Sequence, residues 1–135
     1  MYLFDTDALS QIIKKNPSIA FIRKLASIEP EQQFTSSITV GELVYGAHRS
    51  DRPLHFIEKL EKLVWPNIQI LPFDESAANV YGRLRADLEK KGTPLTEPDL
   101  RIASIAIDHG LIVITGNLKH FSKVPGLGAE NWIGY

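Results

Sequence analysis

Acidic residues recur in this chain where apolar runs end or helices begin, and their placing is the first clue to chemistry. The chain opens "MYLFDTDALS", an apolar segment running straight into Asp5 and Asp7 with Thr6 between them. Glu42 stands near the start of a helix-forming stretch, and Asp99 near the start of another. An apolar run that ends in acid marks the end of a buried strand, where side chains begin to reach a cleft. Carboxylates brought from separate elements to one sheet edge repel each other unless they are protonated or hold a cation. The chain has no cysteine, and no His sits at ligand spacing, so the donors are hard oxygens that suit Mg²⁺ or Mn²⁺ rather than zinc. Such an ion keeps waters and takes a few carboxylates plus substrate phosphate, which points to phosphodiester chemistry.

Each acid alone has a plainer explanation. Asp5 and Asp7 fit a helix N-terminus, where a carboxylate caps the chain and offsets the dipole. Thr39-Val40-Gly41-Glu42 and Thr96-Glu97-Pro98-Asp99 each resemble a capping box, with Thr as the cap and the acid reaching back. At about 100° per residue, Glu42 shares its side with Tyr45, Gly46 and Arg49, away from the apolar stripe Val40, Leu43, Val44 and Ala47. Asp99 lies opposite the polar stripe Arg101, Ser104 and Asp108, so it is expected to point inward and to need a compensating partner.

The elements that must position these acids can be read along the chain. Residues 1–4 form a first strand, with Asp5 at its end. Residues 8–15 and 18–27 read as short helices around Asn16-Pro17, and residues 34–36 as a second strand. A helix runs from Thr39 to about His48, and another spans residues 53–64. Residues 68–71 form a third strand; Asp74 caps a long helix that stops at Gly92, and a helix opened by Glu97-Pro98-Asp99 ends at Gly110. "LIVIT", residues 111–115, is the strongest strand, and a short one is expected near Trp132. Strands separated by helices imply an α/β fold, a parallel central sheet with helices on both faces. Ligands in such sheets bind beyond the carboxyl ends of the strands where the strand order reverses, which is where Asp5 and Gly116-Asn117 are delivered.

Composition sets the limits. The 135 residues, 44% hydrophobic and without a biased tract, suit one domain over residues 1–135. Lys and Arg total 15 against 16 for Asp and Glu, so any basic surface for a nucleic acid must be local. The absence of cysteine excludes a disulfide framework and thiol catalysis. No signal peptide or membrane-spanning run is legible, so a soluble, cytoplasmic protein without membrane contact is expected.

Three stretches, "YLFDTDALS" (2–10), "SSITVGELVYGA" (36–47) and "TPLTEPDLRIASIAIDHGLIVITGNLKHFSKVPGLGAENW" (93–132), occur in this order. Together they resemble the PIN-domain ribonucleases, and within them the VapC toxins of bacterial toxin-antitoxin pairs. The resemblance spans essentially the whole chain. It implies a PIN-like fold and a metal-dependent endoribonuclease in which Asp5, Glu42 and Asp99 hold Mg²⁺ or Mn²⁺ and Asp99 also orients the attacking water. Thr6 and Thr115 would support that shell through their hydroxyls. Asp7 stands where many relatives have Asn, and Asn117 where many PIN nucleases have a fourth acid; one tightly held ion is the expectation. Glu97 reads as a helix-start acid, and Lys119 and His120 as contacts to substrate phosphate. The implied partners are RNA, a second copy of the chain, and a VapB-type antitoxin whose segment enters the cleft, with operator DNA reached only through the antitoxin. Tyr45, Phe56, Trp65 and Tyr81 are dimer or antitoxin contacts, or core.

Three other readings compete with this one. A phosphoacceptor signalling domain would need an acceptor Asp ending a central strand, and Asp74 after "IQILPF" reads as a cap instead. A catalytically inactive PIN-fold binding module would not need Asp5, Glu42 and Asp99 intact. A PIN nuclease of RNA maturation, without toxicity, shares every residue named here.

Overall fold

The computed structural model of the chain describes residues 1–134. Five strands, β1 (Tyr2–Phe4), β2 (Gln33–Ser36), β3 (Gln69–Leu71), β4 (Ile112–Ile114) and β5 (Ala129–Glu130), form one sheet in the order β3-β2-β1-β4-β5, with every neighbouring pair parallel. The helices are α1 (Thr6–Ile13), α2 (Ile19–Ala26), α3 (Ser37–Arg49), α4 (Pro53–Lys59), α5 (Glu75–Lys90), α6 (Glu97–His109) and α7 (Leu118–Phe121). The expected parallel sheet with helices on both faces is therefore present.

Two-residue periodicity in the central strands separates the two cores. Leu3 and Val113 face α5 and α6, among Leu84, Leu88, Leu100 and Ile105, whereas Phe4 and Ile114 face the other side, among Leu9, Phe21, Leu43 and Leu60. All four strand residues are fully buried. Burial of each such side chain contributes about 1.5–3 kcal/mol, which fixes β1 and β4 in register at the centre of the sheet.

The chain moves outward from β1 through β2 to β3, then returns through α5 and α6 to place β4 on the free side of β1. The strand order thus reverses between β1 and β4, whose last residues, Phe4 and Ile114, are paired. Asp5 and Thr115 are the next residues on each strand.

Four local readings need correction. Helix α3 is capped by Ser36, whose hydroxyl accepts the Thr39 N–H at 3.1 Å, so Thr39 is the third helical residue and Glu42 lies in the second turn. The helix expected over residues 53–64 is α-helical only to Lys59. Residues Leu60–Val64 widen into a π-turn closed by the Trp65 N–H on the Leu60 carbonyl, and Pro66, which has no N–H, follows within a 3₁₀ turn. Ser104 is fully buried rather than part of a polar stripe, and its hydroxyl returns to the Leu100 carbonyl at 2.7 Å. The last strand lies at Ala129–Glu130, and Trp132 follows it into the core against Tyr2 and Phe4. Among the described residues, no helix is long and apolar enough to cross a membrane.

Candidate active site

Asp5 is the N-cap of α1: its Oδ1 accepts the Ala8 N–H at 3.1 Å, and its own N–H donates to the Ile114 carbonyl at 3.1 Å. The capping role and a place in the site are the same geometry, because the strand must end and the helix begin where the cleft opens. Asp5 is only 5% exposed. Burial first, and then the neighbouring Asp7 carboxyl, push its pKa up to about 9, against the opposing pull of the Thr115 hydroxyl and the Ala8 N–H.

Asp7, in the first turn of α1, crosses to the end of β4. Its Oδ2 accepts the Gly116 N–H at 3.0 Å, while its Oδ1 is buried and accepts no hydrogen bond from the protein. A buried carboxylate oxygen without a donor is costly. Here it stands beside a second buried carboxyl, so a proton or a cation must offset the pair. Gly116 makes the approach feasible, since a Cβ at that position would lie 2.6 Å from Asp7 Oδ2 and 3.0 Å from Ile133 Cδ1.

Glu42 reaches the same place from α3 and is held by a short hydrogen bond from the Thr6 hydroxyl. The Thr6 hydroxyl thus fixes where the Glu42 carboxylate lies. Asp99 arrives from the first turn of α6, whose N-cap is Thr96, with the Asp99 N–H on the Thr96 hydroxyl at 3.4 Å. Asp5, Thr6, Asp7, Glu42, Asp99 and Asn117 together line one cleft of about 280 Å³. Ser10 and Ile102 complete it. Ser10 was not among the expected site residues; its spacing of four from Thr6 on one helix face is the signal that places it there.

Thr115 is fully buried behind this cleft, and its hydroxyl accepts the Asn117 N–H at 2.8 Å, which turns the chain after β4. His120 is folded back onto the site: its Nδ1 lies 2.7 Å from Asn117 Nδ2 and 3.4 Å from Asp99 Oδ2. One ring nitrogen cannot accept from Asn117 and donate to Asp99 together. The shorter contact, to an amide nitrogen that can only donate, makes Nδ1 the acceptor of the Asn117 amide. Lys119 is exposed on α7 and takes no part in the cleft lining.

Glu97 is outside the cleft. It accepts from the Tyr81 hydroxyl at 2.7 Å and pairs with Arg85 and Arg101, and that hydroxyl, ahead of the two guanidinium groups, holds its pKa below the usual carboxylate value. Of the four aromatics, Trp65 and Tyr81 pack against the two cores, Phe56 is half-buried and joins neither core, and Tyr45 is 61% exposed. A larger concavity, about 560 Å³, lies among Phe4, Ile22, Leu25, Leu63 and Ile68 and is lined by none of the cleft acids. Volume is a poor guide here, because the chemistry follows the carboxylates.

Among the described residues, no three His, Asp or Glu side chains close into a ready-made metal cage.

The switch point of this parallel α/β sheet is thus lined by acids from three separate elements. Residues 2–127 match the PIN domain family. The chain belongs to the PIN-domain family, in its VapC branch. It is 35% identical over 97% of both chains to a tRNA(fMet)-specific endonuclease VapC of Salmonella typhimurium. Among solved structures it is similar to VapBC2 of Rickettsia felis bound to a promoter DNA fragment, with TM-score 0.88, 32% identity and coverage of 97% of this chain and 98% of that one. It is also similar to DNA-bound VapBC of Salmonella typhimurium, with TM-score 0.87, 34% identity and 97% of each chain covered.

Proposed function

We propose that the chain is a divalent-metal-dependent endoribonuclease, the toxin of a VapBC-type toxin-antitoxin pair. The observation that carries the reading is the pair of neighbouring carboxyls, Asp5 and Asp7, in a cleft that Glu42 and Asp99 share, with Asp7 Oδ1 buried and given no donor by the rest of the protein. Those features fit a cation: the oxygen set is hard, the negative charge is in excess, and no cationic side chain of the protein lines the cleft.

Asp5, Glu42 and Asp99 would hold Mg²⁺ or Mn²⁺, with Asp7 and Asn117 beside them. When bound, the ion activates a water and offsets charge on the scissile phosphate. Asp99, which lines the cleft from the first turn of α6, would orient the attacking water. Thr6 fixes the rotamer of Glu42, and Thr115 sets the turn that presents Asn117. Lys119, exposed on α7 outside the cleft lining, would meet the RNA backbone as it leaves the cleft.

The substrate class follows from the relatives. A full-length relative is named for initiator tRNA, so folded tRNA is the first RNA to test. A VapB-type antitoxin is the partner, as in the solved VapBC complexes, and operator DNA is reached through it. A homodimer and a cytoplasmic location complete the reading.

Purified protein and an Asp99→Asn variant, each with Mg²⁺, Mn²⁺ or EDTA, should be given total cellular RNA and initiator tRNA, and new ends mapped. Discrete cuts that require both the metal and Asp99 are expected. Cleavage that persists in EDTA, or in the variant, would overturn the metal assignment; a folded protein that cuts nothing would return the site to a binding role.

A further inference from the structure

A groove of about 350 Å³ continues from the acidic cleft along α3, and Thr6 and Glu42 line both. Ile13, Leu43, Gly46, Ala47 and Phe56 form its walls, so it is apolar where the cleft is acidic. Two of these residues are unexplained by the chain's own packing. Gly46 is exposed in the middle of a helix, and a Cβ there would meet nothing within 4 Å. Glycine weakens a helix, so a bare position with open space above it leaves room for something outside the chain. Phe56 is half-buried yet joins neither core; the Arg52 guanidinium lies 5.8 Å from its ring centre and the His55 ring 5.1 Å away.

The edge beside Phe56 is basic: Arg52 lies over the Phe56 ring, Arg49 follows Gly46 by about one turn, and Asp51 is the one acid between the two arginines. An apolar, aromatic wall under a basic rim takes a flat uncharged face and an anionic backbone together, which is how unpaired nucleotides are bound: bases stack on aromatic or guanidinium planes while cations track the phosphates. The volume lies within the range of small-ligand sites, about 300–1,000 Å³. A strand whose phosphate lies at Glu42 must leave the cleft on one side or the other, and this groove is the exit shared with Thr6 and Glu42.

We infer that this groove seats the unpaired nucleotides next to the scissile phosphate. The inference rests on the nuclease reading and adds to it where the RNA lies and which residues outside the acidic cleft set its affinity.

Gly46→Leu fills the groove without touching the cleft, and the open space above residue 46 lets the helix form. The variant should raise KM for RNA about tenfold with kcat nearly unchanged, and Phe56→Leu, which keeps bulk but removes the stacking face, several-fold. In EDTA, a single-stranded oligoribonucleotide carrying 4-thiouridine should photocrosslink to the wild-type peptide that contains Phe56, and far less to Gly46→Leu. A wild type that cleaves RNA while Gly46→Leu keeps its KM, or crosslinks that map elsewhere, would overturn the inference. An unshifted KM combined with lost inhibition by the antitoxin would assign the groove to the protein partner instead. Wild-type protein that cleaves no RNA would overturn the nuclease reading itself, which separates the two failures.

Discussion

Asp7 accepts a hydrogen bond from the backbone of Gly116 across 109 residues of sequence, at 3.0 Å. The contact ties the start of α1 to the turn after β4, the two segments that flank the reversal of strand order. It also leaves the other Asp7 oxygen buried without a donor, beside Asp5.

Gly116→Ala is expected to break that tie, because its Cβ would stand 2.6 Å from Asp7 Oδ2 and 3.0 Å from Ile133 Cδ1. Asp7 must rotate away and Ile133 must shift. A loss of about 1–3 kcal/mol is expected in denaturant titration, with reduced cleavage. Wild-type stability and activity in this variant would show that the Asp7 contact has no role.

The pH dependence of the metal-free protein has a definite sign. Asp5 has a folded pKa of about 9 against 3.8 for the free side chain, so the fold holds the proton that the unfolded chain releases. Its stabilising contribution is complete below about pH 3.8 and is lost as pH rises toward about 9. Asp5→Asn should therefore gain stability over wild type progressively with pH, and urea titrations at acid, neutral and alkaline pH measure that difference. A difference that does not change with pH would contradict the buried protonated Asp5. Added Mg²⁺ should stabilise the wild type more at high pH, since the carboxylate must be free to bind.

Thr6→Val removes the hydroxyl that orients Glu42 while keeping the side-chain shape. The expected loss of stability is modest, about 0.5–1.5 kcal/mol, and the effect falls on kcat with KM for RNA held. Thr6→Ser, which restores the donor, should recover most of the rate. A variant with unaltered kcat would remove Thr6 from the positioning role.

Lys119 and His120 are adjacent but should separate in kinetics. Lys119→Ala is expected to raise KM and to lower the salt dependence of RNA binding, as loss of one phosphate contact does. His120→Ala should instead lower kcat, because it frees Asp99 and Asn117. Equal effects of the two substitutions on KM alone would make His120 a backbone contact like its neighbour.

Much of this was legible along the chain. The polar residues that end β1 and β4, the Asp74 and Thr96 caps, and the stop at Gly110, which takes φ 66°, are local features, decided within a few residues by hydrogen bonds and sterics. Glu97 read correctly as a helix-start acid for the same reason.

The start of α3 was not legible, because Ser36 and Thr39 are both good caps and local chemistry does not rank them. The choice falls to Ser36 because it is the last residue of β2 paired with β3, opposite Leu71, so the strand ends and the helix begins there. That moves Glu42 into the second turn, where Thr6 meets it. The sequence by itself determined which residues are acidic, which runs are strands, and that the acids stand at element ends. Only the tertiary structure decided that Asp7 meets Gly116, that His120 turns back onto Asp99, and that Asp5 retains its proton. Those outcomes depend on burial and on side chains far apart in sequence, and neither is set until the sheet has brought β1 and β4 together.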